Sequence, residues 1–131
     1  MSCMHQKRSG QHYMENVSEE DKLQSIQAFQ STIRKSENAL TNLTQKGNNT
    51  TLLKKRLNAL YIGLAILETA WNQKAHHYTK EELAEARHVL IGLFPSLENS
   101  YSKSKAGSPQ KTLLRRRIKA FELAVQAMDT L

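Results

Sequence analysis

Residues 109–131 read PQKTLLRRRIKAFELAVQAMDTL, and the spacing of their apolar side chains decides the fold. Leu114, Ile118, Phe121, Val125 and Met128 follow one another at intervals of four and three, the period that lines up one face of an α-helix. Ala120, Ala124 and Ala127 flank that stripe and let a neighbouring helix come close. Pro109 suits a first helical position, where its missing N–H costs nothing, and Ser108 stands before it as a start signal.

Three further segments carry the same signature. Ser18 can cap a helix followed by Glu19, Glu20 and Asp21, which suit its positive end. Leu23, Ile26, Phe29, Ile33, Leu40 and Leu43 form its stripe, and Gly47 is its expected left-handed stop. A second helix is expected from Thr50 or Thr51 to about Ala75, with Leu53, Leu57, Leu60, Tyr61, Leu64, Leu67 and Trp71 as its core face. Ile62 and Ile66 fall off that face, so this helix is either buried all round or carries a second contact surface. The third opens with a capping box, Thr79-Lys80-Glu81-Glu82. Its stripe is Leu83, Ala86, Leu90, Leu93, Phe94, Leu97 and Tyr101, and Pro95 should kink or break it.

Four amphipathic segments joined by short loops predict an all-α, antiparallel up-down-up-down four-helix bundle over residues 17–131. Two-helix hairpins pairing across a homodimer, through helix two around Ile62 and Ile66, are the alternative packing. Residues 1–16 show no periodicity and read as a flexible N-terminal tail. The single cysteine, Cys3, leaves no pair for an internal disulfide. No signal-type apolar segment or membrane-length apolar run is visible, which points to a cytoplasmic location.

The net charge is +7 at pH 7, and in this topology it should gather at one end. Lys46, Lys54, Lys55, Arg56, Lys103, Lys105, Lys111, Arg115, Arg116, Arg117 and Lys119 fall there, with Glu98 the nearest acid. Glu19, Glu20, Asp21, Glu81, Glu82 and Glu85 fall at the other. Lys54, Lys55 and Arg56, and Lys111 through Lys119, lie in the opening turns of helices two and four, where each exposed positive charge opposes the dipole at ~0.3–1 kcal/mol, an effect that falls off after the first turn. Helix N-termini also present free N–H groups to anions. Lys54, Lys55, Arg56, Lys111, Arg115, Arg116 and Lys119 are therefore the candidate residues for an acidic macromolecular partner, protein or nucleic acid. The plainer reading of such a run is a solvated helix face.

Other candidates weigh less. Glu85 and His88 have the Glu-x-x-His spacing of di-iron bundles, but the second copy and the inward glutamates are missing. His88 also lies opposite the apolar stripe, and His76 and His77 read as a turn, so no metal and no cofactor are expected. Glu68 sits at the edge of the core stripe without a second acid, base or nucleophile. Trp71 and Tyr61 read as core. No glycine-rich phosphate loop, nucleophile–base pair or paired-cysteine motif occurs, which leans against an enzyme.

The stretches LNALYIGLAILETAW (57–71) and LIGLFPSLENSY (90–101) resemble small uncharacterised four-helix-bundle proteins of Gram-positive bacteria. In size and charge the chain is also similar to bacteriocin immunity proteins, though none of their characteristic residues carries over. The resemblance implies a bacterial bundle protein. The reading that follows is a non-enzymatic interaction protein using a basic bundle end, with a nucleic-acid-associated module or an immunity-type, membrane-surface protein as the alternatives.

Overall fold

The computed structural model describes residues 17–130; the tail expected over 1–16, like Leu131, lies outside the described residues. Four helices follow in order: α1 (Glu19–Gln45), α2 (Thr51–Asn72), α3 (Lys80–Lys103) and α4 (Pro109–Thr130). No strand occurs among the described residues. Each helix packs on its neighbour in the chain, α1 closes against α4, and α2 meets α4 across the centre. The result is the expected all-α bundle.

The helix ends follow the local chemistry of the sequence. Ser18 Oγ accepts from the Asp21 N–H at 3.0 Å, and Thr79 and Glu82 exchange both bonds of the capping box. At the far end of α1, Gly47 takes φ +75°. The N–H of Gly47 then donates to Thr44 O at 3.0 Å and that of Asn48 to Leu43 O at 3.0 Å, satisfying two otherwise orphaned carbonyls. Ser108 Oγ accepts from the Lys111 N–H at 3.1 Å and starts α4.

One boundary differs from the sequence reading. α2 ends at Asn72, not near Ala75, because Gln73 adopts the left-handed conformation at φ 59° and its N–H returns to Glu68 O. A glutamine there gives no warning of a helix stop. α3 runs through Pro95 to Lys103 and is not broken. The proline withdraws one donor from the Ile91 carbonyl, but Ile91, Gly92 and Pro95 all lie on the exposed side, where water can replace that donor.

The core differs from the expected stripes in which side chains it takes. Ile62 and Ile66 are 1% and 0% exposed, so the patch assigned to a homodimer contact is covered within the chain. Tyr61, expected in the core, is 40% exposed, and its hydroxyl bonds Glu37 of α1. That bond, with desolvation and the carboxylate charge acting the same way, holds the phenol above its ordinary pKa. Leu23 is exposed, while Ser25 on the next face is buried. On α4 the buried face is turned toward Ala120, Ala124 and Ala127, leaving Ile118 and Val125 at its edge. α2 and α4 are in contact across the centre, and both bury small residues, Ala59 and Gly63 on α2 and Ala120, Ala124 and Ala127 on α4; small side chains allow helix axes to approach.

Phe29, Phe121 and Phe94 knit three helices together, with ring centroids 5.1 Å apart for the first pair and 6.5 Å for the second. Phe29 also fills the space beside Gly63. A β-carbon at Gly63 would stand 2.8 Å from Phe29 Cε1, 2.9 Å from its Cζ and 3.3 Å from Leu90 Cδ1. Because the Phe29 ring is buried against Phe121, it cannot swing aside cheaply. Gly63→Ala is expected to destabilise the bundle by about 1–3 kcal/mol of overpacking, despite alanine's better helix propensity. Gly92→Ala, with nothing within 4 Å, should stabilise it by up to about 1 kcal/mol. Urea unfolding of the two variants separates these opposite signs.

Candidate anion-binding surface

The predicted cations occupy three different environments. Lys54, Lys55 and Arg56 project from the first turns of α2 and are exposed. The Thr50 side chain does not cap that helix; instead Asn49 Oδ1 accepts from the Thr51 N–H at 2.9 Å.

Lys111 is not a free charge. Its ammonium donates to the Tyr101 carbonyl at 2.9 Å, approaches the Ser104 carbonyl at 3.5 Å, and lies 4.2 Å from the centroid of the Tyr101 ring. These carbonyls are the negative end of α3. A cation that opposes the dipole of its own helix thus serves the dipole of the preceding one, and offers little to a partner.

Arg115, Arg116 and Lys119 line one cleft of about 230 Å³ between α4 and α1, opposite Asp21, Gln24 and Ser25. This corrects the expected polar segregation: Asp21 was placed at the acidic end, yet it shares a cleft with three cations. The cleft keeps an excess of two positive charges. A second cleft of about 140 Å³ adjoins it, lined by Gln24, Gln27 and Ser31 of α1 and by Leu113, Arg116 and Arg117 of α4. Leu113 is 53% exposed there. Arg116 reaches both clefts, and its Nε is buried with no hydrogen-bond partner among the described residues.

Three ion pairs occur among the described residues: Lys22–Glu19, Lys74–Glu68 and Arg87–Asp129. None involves a cation of the candidate set. Glu68, set aside as a catalytic group, meets Lys74 at 3.7 Å. His88 is exposed, while His76 Nδ1 accepts from the Tyr78 N–H at 3.2 Å and its ring stacks on Tyr78. No group of three or more metal-capable side chains forms among the described residues. Nor is any described helix long and apolar enough to cross a membrane.

Arg117 was not among the singled-out residues. It is half-buried, and desolvation lowers its guanidinium pKa below the usual value. The signal was available in the sequence. Arg117 precedes Ala120, Phe121 and Ala124 by three, four and seven positions, so it shares their inward face.

Compared with known proteins, the chain matches no family model, no curated protein and no solved structure.

The different environments of the cations have measurable consequences. Lys111→Met keeps the stem and removes the charge, and should cost about 1 kcal/mol by unpairing the end of α3. Lys54→Gln, in an exposed first turn, should be neutral or stabilising by a few tenths of a kcal/mol. Denaturant midpoints of both variants test the contrast.

Proposed function

We propose that this protein is a non-enzymatic interaction module whose basic surface docks an acidic segment of another protein. The surface runs from Lys54, Lys55 and Arg56 at the start of α2 to the α1–α4 flank carrying Arg115, Arg116 and Lys119. The observation that carries the reading is that none of these cations is neutralised by a carboxylate of the described residues within ion-pair distance. Unpaired cations beside a cleft attract and orient an acidic chain without supporting the fold.

The surroundings favour a protein partner over nucleic acid. Leu113 stands exposed between Arg116, Arg117 and the glutamines of α1, a setting that suits an apolar side chain flanked by acids. Base stacking would need aromatic side chains among the cations, and the nearest, Tyr101, is covered by Lys111.

The test titrates the full chain with an amphipathic glutamate- and leucine-rich peptide at several salt concentrations. The affinity should fall steadily as salt screens the charges. The triple variant Arg115→Glu, Arg116→Glu, Lys119→Glu should bind at least tenfold more weakly while keeping its helical circular dichroism. Unchanged binding by the folded variant removes the proposal. Preferential binding to random duplex DNA would replace it with the nucleic-acid reading, and preferential binding to anionic vesicles with the membrane-surface one.

A further inference from the structure

A third cleft, of about 150 Å³, shares Arg117 with the second and opens where all four helices contribute side chains. It is lined by Arg56 of α2, Arg117 of α4, Ser36 of α1 and Ser96 of α3, with the buried Leu60 and Phe121 beneath. We propose that this cleft binds a small amphipathic carboxylate, its charged group held by the two guanidiniums and its single ring or short chain resting on the apolar floor. This goes beyond the macromolecular contact above and does not depend on it.

The charge balance points to an anion. No carboxylate lines the cleft, and neither arginine takes part in an ion pair among the described residues. Glu37, next to Ser36, is turned to the Tyr61 hydroxyl. Two cations share the cleft without a counter-charge, and Arg117 is partly desolvated. A charge in that position gains from a partner brought to it.

The polar groups select the shape of that partner. A guanidinium is a planar fork that matches both oxygens of a carboxylate. The hydroxyl of Thr32, which also lines the cleft, already donates to Ala28 O at 2.7 Å. The proton donors left are therefore the arginines and the hydroxyls of Ser36 and Ser96. Below them the floor is apolar and backed by the Phe29 and Phe94 rings that pack on Phe121. A volume near 150 Å³ is that of a cavity able to hold about one benzene ring. Inorganic phosphate would satisfy the cations and leave the floor wet, whereas an uncharged ring would leave the cations unpaired.

The probe is benzoate, titrated into the full chain and followed by amide chemical shifts. Saturable shifts are expected around Ser36, Arg56, Ser96 and Arg117, with benzamide and inorganic phosphate each binding at least tenfold more weakly. Arg117→Gln should weaken benzoate at least tenfold. Since that half-buried change could disturb packing, Ser96→Phe provides the second arm. It fills the exposed rim, leaves every cation in place, and should abolish the saturable shifts. Benzamide or phosphate binding as tightly as benzoate, or benzoate binding unaltered in folded Ser96→Phe, overturns the proposal.

Discussion

The bundle is organised around the contact between the Phe29 ring and the backbone of α2 at Gly63. The missing β-carbon lets α1 place a whole aromatic ring against α2, and that ring then meets Phe121 of α4. Leu90 of α3 closes the same layer. One small residue on α2 thus brings side chains of α1, α3 and α4 into one layer. Protein cores tolerate little error in volume, so the aromatic knob and the glycine hole fix the register of the helices.

Helix existence, order and most of the ends were legible in the sequence because they depend on short-range chemistry. Ser18, Gly47, Thr79 with Glu82, and Ser108 with Pro109 each act within four residues of themselves. What could not be read locally was rotation about the helix axis. Tyr61 and Ile62 are adjacent, and a periodic stripe cannot say which of them a neighbour will cover. Packing within the bundle buries Ile62 and Ile66 and leaves Tyr61 to reach Glu37 at the surface. Gln73 is a different failure: its left-handed backbone is imposed by the end of α2, with no glycine or asparagine to announce it.

The charged surface was legible in composition and only partly in position. Alternating helix directions place a residue at one end or the other, but they say little about level along the axis or about what a neighbouring helix presents there. Arg115, Arg116 and Lys119 line a cleft with Asp21, although alternating directions assign them and Asp21 to opposite ends. Lys111 shows the complementary effect. Its position at the start of α4 looked costly in terms of that helix alone, yet the cost is offset by the carbonyls at the end of α3. Helix dipoles have to be reckoned in pairs when consecutive helices meet head to tail.

The separation between core and charge also bears on what the surface can do. Two of the three described ion pairs are local in sequence, and the third, Arg87–Asp129, is largely exposed, so each contributes little to stability. The buried cluster of leucines, isoleucines, alanines and phenylalanines holds the bundle without help from the cations of α2 or the outer face of α4. An excess of positive charge on a fold of net +7 is, if anything, a source of self-repulsion. Lys111 is the exception, because its charge closes a helix. Lys54 and Lys55 are exposed and form no ion pair among the described residues, whereas Arg115 and Lys119 share a cleft with Asp21, so the positive excess is only partly offset within the fold.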